Sequence, residues 1–260
     1  MTAIAHHLRR YSRTLSRTCG LVLAGVSAWA AGADFSVNPL WVMLDTQTRS
    51  AQIEIRNHAE QPVRFQIRGA GWTQDANGKN IYGDPEGLIF FPRAMELAPN
   101  EARVVRVGVK ALPASREEAY SVFIEEVPGA EPPPAARGAQ IRLLLSVSVP
   151  VFVAPLQKLQ GGAVESLTLR KGAAEARLVN SGNVHLGART IVLRGLAADG
   201  SERYSHAFPG RFVLPGAGAR LEAPVPRDTC LQLSALELTV TTPDKSELKR
   251  RIDVARADCQ

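Results

Sequence analysis

From Gln140 to Pro155 the chain reads Q-I-R-L-L-L-S-V-S-V-P-V-F-V-A-P. Ile141, Leu143, Leu145, Val147, Val149, Val151 and Val153 alternate with other residues and fall on one face of an extended strand. Arg142, Ser146 and Ser148 fall on the other face, so the segment predicts a long, half-polar strand. A strand of this length fills its own core at one end only. The surplus apolar row needs a cover, and another protein could supply it.

The rest of the chain repeats the same alternation in shorter pieces. Phe35–Leu44, broken at Asn38-Pro39, is followed by Ala51–Arg56, Val63–Trp72, Leu88–Phe91, Arg103–Val109 and Ala119–Val127. Asp75-Ala76-Asn77-Gly78 marks a turn, and Leu97-Ala98-Pro99-Asn100 separates two strands. Pro128–Gly138, with three consecutive prolines, predicts a surface loop ahead of the long strand. After Pro155 a second set begins: Val164–Arg170, Ala174–Asn180, Thr190–Leu196, Arg211–Leu214, Ala219–Val225, Leu233–Thr242 and Leu248–Ala255. No stretch shows the period of a long amphipathic helix. The pattern predicts an all-β protein of two sandwich domains, residues 34–154 and 155–260.

Residues 1–33 do not fit that pattern. Arg9, Arg10, Arg13 and Arg17 form a basic head, Leu21–Ala31 is a short apolar run, and Ala31-Gly32-Ala33 offers a cleavage site before Asp34. Ala28-Trp29-Ala30 is a second such site. This is the layout of a secretory signal peptide, and the run is too short for a permanent membrane anchor. Losing it changes the charge: the whole chain is +6, but removing four arginines leaves 27 basic against 25 acidic residues, or +2. The basic balance is then too small to support nucleic-acid binding. Two cysteines remain, Cys230 and Cys259, which in an exported protein pair most simply with each other; two free thiols are the alternative.

Chemistry-bearing motifs are missing. His58, His185 and His206 stand alone in the sequence, without metal-ligand spacing, and there is no nucleophile elbow or phosphate loop. Glu125 and Glu126 point to opposite faces of one strand. The reading is therefore of a non-enzyme, with no cofactor, metal or small-molecule substrate.

Three blocks then resemble a known family. They are Leu88-Ile89-Phe90-Phe91-Pro92-Arg93 with Leu97–Glu101 and Val104–Val107, Glu117–Pro128, and the long strand ending at Pro155. In this order and spacing they resemble the periplasmic pilus-assembly chaperones of the PapD type, most specifically over residues 86–155. The resemblance implies two immunoglobulin-like domains in an L, a periplasmic location, pilin subunits and an outer-membrane usher as partners, and chaperone-usher pilus assembly as the task. It also implies that the long strand is lent to a pilin lacking one of its own. Ile141, Leu143, Leu145 and Val147 are the residues expected to enter the pilin, three such side chains contributing about 5–9 kcal/mol before ordering costs.

One departure from the family pattern matters. The positions that usually hold the pilin's terminal carboxylate through two basic residues are Trp41 and Pro150 here. The sequence resembles divergent branches with a V-P-V-F-like strand end, and Arg93 and Arg142 become the candidate anchors. The competing reading is an exported, self-assembling fibre subunit or adhesin, which would be one incomplete domain with a free donor extension.

Overall fold

The structure is a computed structural model and describes residues 35–113, 115–128 and 143–260. The expected leader, most of the proline-rich loop, Ile141 and Arg142 lie outside the described residues.

The first half is a sandwich of ten strands. These are β1 (Phe35–Asn38), β2 (Val42–Leu44), β3 (Ser50–Asn57), β4 (Val63–Gln74), β5 (Asn80–Gly83), β6 (Leu88–Phe91), β7 (Ala94–Leu97), β8 (Ala102–Val109), β9 (Glu118–Val127) and β10 (Ser146–Val153). One sheet has the order β1-β3-β8-β6; the other runs β2-β10-β9-β4-β5, with β7 also on β4. The chain crosses between the sheets from β1 to β2 and from β6 to β7, and each crossing contains a cis X-Pro bond, at Pro39 and Pro92. Ile53, Ile55, Phe65, Ile67, Val105, Val122, Ile124, Val149, Val151 and Val153 fill the space between the sheets. These are the inward positions of the alternating runs, so period-two patterning decides which face is covered. Asn57 is buried among them, with its amide donating to the carbonyls of Gln61 and Leu97 and its oxygen accepting from Ala59 N–H.

The second half contains β11 (Ala163–Arg170), β12 (Ala173–Val179), β13 (Leu186–Ala188), β14 (Thr190–Leu196), β15 (Glu202–Phe208), β16 (Arg211–Val213), β17 (Gly218–Pro224), β18 (Ala235–Thr241) and β19 (Glu247–Asp253). They form the sheets β11-β12-β17, β13-β16 and β15-β14-β18-β19 around a second buried cluster. A single helical turn, α1 (Arg227–Cys230), places Cys230 against Cys259, and the two are joined as a disulfide with a Cα–Cα distance of 5.8 Å. Among the described residues no helix is long and apolar enough to cross a membrane.

Several expectations need correction. Strands β5, β7, β13 and β15 were not predicted. Strand β5 is exposed along its whole length, and β15 is an edge strand with no fully buried position, so neither carries a period-two signal. Leu97, read as part of the segment separating two strands, is a fully buried strand residue. The long strand is also shorter than its alternation suggests: among the described residues the ladder starts at Ser146, and Leu143–Leu145 are outside it. Its neighbour explains this. Strand β9 ends at Val127, and Ser146 already faces Glu125, so this register brings Leu144 opposite the last residue of β9 and leaves Leu143 beyond it.

Candidate partner-binding site

Strand β10 is covered unevenly. On one side it pairs with β9 from Ser146 to Val153, antiparallel and without a break. On the other side β2 covers only Val151–Val153, in parallel. From Ser146 to Pro150 that second side meets no strand among the described residues, so it is an open edge.

The hydrogen-bond pattern shows which groups face this edge. Glu126 N–H donates to the Leu145 carbonyl at 2.9 Å, and Ala154 N–H donates to the Leu44 carbonyl of β2 at 2.9 Å. An antiparallel ladder alternates, so odd-numbered residues of β10 address β9 and even-numbered ones address the open side. Ser146 and Ser148 therefore present N–H and C=O groups outward. Pro150 presents only a carbonyl, because a proline has no N–H; this is the one side of β10 where it costs the existing ladder nothing.

The apolar row divides along its length. Val149, Val151 and Val153 are fully buried in the first sandwich, and Val147 is half-buried against the same core. Leu143 and Leu145 are 64% and 43% exposed, and Leu144 on the opposite face is 46% exposed. The expected donor residues are therefore split: Leu143 and Leu145 are uncovered, Val147 is anchored in its own domain, and Ile141 is not among the described residues.

The outward face of β10 is not polar throughout. Below Ser146, Ser148 and Pro150 comes Phe152, which is fully buried in the core cluster of the second half together with Trp72 of β4. Its ring stacks on His185 at 3.8 Å between centroids and meets Phe212 at 5.0 Å and Trp72 at 5.8 Å. Glu117, whose side chain has no exposure, accepts from the His185 backbone N–H at 2.9 Å and contacts Nδ1 at 2.9 Å. Gln74 spans the same boundary, donating to the Phe212 carbonyl and accepting from Leu214 N–H. His185, isolated in sequence, is thus held on both sides. The other two histidines take no part here: His58 Nε2 meets Ser36 Oγ, and His206 sits against Phe208. Sequence reasoning missed Trp72, Phe152, Glu117 and His185; the aromatics on the outward face of two strands were the available signal.

At the corner where β2 meets β10, Trp41 is 53% exposed and its ring lies 6.5 Å from Phe212. Pro150 faces Ser121 of β9. Nearby, Lys158 pairs with Asp45 at 3.7 Å. The Asp45 carboxyl is held below its ordinary value by the backbone N–H groups of Thr48 and Gln47. Arg93 sits in the β6–β7 crossing with its guanidinium over the Phe90 ring at 4.5 Å. Its carbonyl accepts from Ile67 N–H on the side of β4 away from β9. That puts it three strand spacings, or about 14 Å, from β10. Arg142 lies outside the described residues. Inside the sandwich, burial and then Glu118 push the Tyr120 phenol well above its usual range, and its hydroxyl donates to the Glu86 carbonyl.

Residues 34–158 match the family described as pili and flagellar-assembly chaperone, PapD N-terminal domain. The chain belongs to the PapD-like pilus-assembly chaperones. Members of this family have two immunoglobulin-like domains and are periplasmic. Solved structures carry the same fold at low identity. The chaperone is 12% identical to YadV (TM-score 0.55, covering 85% of this chain and 99% of that one). It is 17% identical to a chain of the CsuC–CsuE chaperone–tip adhesion subunit complex of archaic Csu pili from Acinetobacter baumannii (0.51, 73% and 90%). A chain of the Salmonella enterica SafA pilin–SafB chaperone complex is 16% identical (0.50, 85% and 96%). No curated protein matches the chain.

Proposed function

We propose that this chaperone captures pilin subunits in the periplasm by adding the open edge of β10 to an incomplete pilin sheet, and passes them to an outer-membrane usher. The observation that carries the reading is the combination of unpaired backbone groups at Ser146 and Ser148 of β10 with uncovered leucines at 143 and 145 in the segment leading into it. Unpaired edges and exposed apolar rows are each a liability alone, and a partner strand removes both at once. Two of the similar structures are complexes of a chaperone with a fibre subunit, CsuC with CsuE and SafB with SafA. The family match favours a chaperone over a fibre subunit. Residues 1–33 serve as the export signal in this reading, and neither catalysis nor a cofactor is involved.

Leu143→Glu tests the proposal. The side chain is exposed in the free chaperone, so the substitution leaves the fold intact, but on capture it brings an unpaired carboxylate into an apolar groove at a cost of several kcal/mol. Co-expression with the cognate pilin followed by pull-down should then recover little pilin, whereas Ser146→Thr should recover the normal amount. Normal recovery with a folded Leu143→Glu chaperone would show that the strand is not lent.

A further inference from the structure

The end of β4, strand β5, the chain entering β9 and the turn between β16 and β17 line a cavity of about 430 Å³. Trp72, Ile81, Leu214, Pro215 and Ala217 give it an apolar wall, and none of its lining comes from β10. A space of this size suits a small organic ligand. Two donors on the lining lack acceptors. Trp72 is 7% exposed, and its indole Nε1–H is buried without a hydrogen-bond partner. Buried polar groups are almost always paired, so this one calls for an acceptor from outside the chain. Arg116 makes no ion pair or hydrogen bond among the described residues. Its guanidinium lies against Gly216, where φ is +71° and an added Cβ would strike it, so only glycine lets the arginine sit there. The lining also holds three carboxylates. Glu117 is held by His185, and Glu118 lies 2.8 Å from the Tyr120 hydroxyl. Asp84 is exposed and has no side-chain partner among the described residues. One free acid against one free arginine leaves the indole as a surplus donor.

We infer that this cavity binds a small organic carboxylate with a flat apolar body, its oxygens accepting from Trp72 Nε1–H and the Arg116 guanidinium. Charge complementarity argues for the anion, because indole and guanidinium can only donate. An amide of the same shape satisfies the indole but forgoes the charge-assisted bond to Arg116, and an amine sets a second cation beside it. The site is separate from strand capture and takes a small molecule, not a chain. Its walls come from both halves of the protein, so an occupant that fits only the folded arrangement stabilises that arrangement by mass action.

The test uses the purified, isotope-labelled full chain and three probes that share one apolar body: naphthylacetate, naphthylacetamide and naphthylethylamine. Each is titrated while nuclear magnetic resonance follows the Trp72 indole N–H, assigned against Trp29→Phe and Trp41→Phe. The carboxylate should move that resonance downfield, as a newly accepted hydrogen bond does, and saturate it below about 1 mM. It should bind roughly tenfold tighter than the amide or the amine. Arg116→Gln should weaken the carboxylate about tenfold, to the level of the amide, with the melting temperature unchanged because Arg116 is exposed. A Trp72 resonance that none of the probes moves overturns the site. Amide or amine binding as tightly as the carboxylate, or a carboxylate affinity that survives Arg116→Gln, overturns the inference equally. Each of these results leaves the strand-addition reading standing, because no residue of β10 takes part.

Discussion

Phe152→Ala separates the structure from a simple alternating reading of β10. On alternation alone Phe152 shares its face with Ser146 and Ser148, and an outward strand residue of that kind costs within about 0.5 kcal/mol when truncated. In the folded chain it has no exposure and lies among three rings, His185 at 3.8 Å, Phe212 at 5.0 Å and Trp72 at 5.8 Å. Truncating a fully buried phenylalanine costs about 3–5 kcal/mol, a figure that already includes the lost ring contacts. The His185 ring also loses the surface it stacks on, while Glu117 continues to hold it. We therefore expect about 4 kcal/mol, a large part of the 5–15 kcal/mol typical of a natural domain. Urea unfolding followed by far-ultraviolet circular dichroism reads this as a shift in midpoint at similar slope. Because Phe152 sits on the strand proposed to be lent, a loss of pilin recovery should accompany the loss of stability. A change below about 1 kcal/mol would refute the placement of Phe152 in the second cluster.

Two further outcomes follow from the same structure. Replacing Cys230 and Cys259 together by serine opens a loop with a separation of 29 residues, and the melting curve should show a loss of about 3–4 kcal/mol; an unchanged curve would mean that the bridge constrains nothing. Acid stability depends on turn carboxylates: Asp45 and Asp75 are held below 3.8 chiefly by backbone N–H groups, and Asp199 and Asp244 chiefly by hydroxyls of Ser201 and Thr242. Their folded values are depressed, so the stability they contribute is complete above 3.8 and is lost as pH falls through the lower folded values. Replacing the four by asparagine should flatten the fall in urea midpoint below about pH 4, and an unaltered fall would refute their role.

Much of the fold is legible in the chain because inward positions of a sandwich strand alternate with a period that sequence carries directly. The row from Val147 to Val153 is of this kind, while the Asn77-Gly78 turn with Gly78 at φ +81° and the pairing of Cys230 with Cys259 are announced by residue type. What stayed hidden involves surfaces that one strand cannot report. The outward face of β4 runs Arg64, Gln66, Arg68 and then Ala70 and Trp72, turning from water to a neighbouring core partway along. Nothing local to Trp72 or Phe152 says that a second set of strands covers them. Glu117 and His185 are 68 residues apart, so the contact that buries the carboxylate leaves no spacing signal. The open edge is half legible: alternation announces a surplus of apolar residues, but only the register shows that β2 covers β10 from Val151 onward and that Pro150 turns its missing donor outward.

Backbone hydrogen exchange at β10, in the free chaperone and in its complex with the cognate pilin, tests the central claim most directly. In the free protein the amides of Val147 and Val149 should be protected by β9, while those of Ser146 and Ser148 exchange rapidly on the open side. On pilin binding, Ser146 and Ser148 should slow by on the order of a hundredfold or more as the added strand accepts their hydrogen bonds. A stable complex in which those two amides exchange as fast as before would contradict the account, because the pilin would then be held by some other surface.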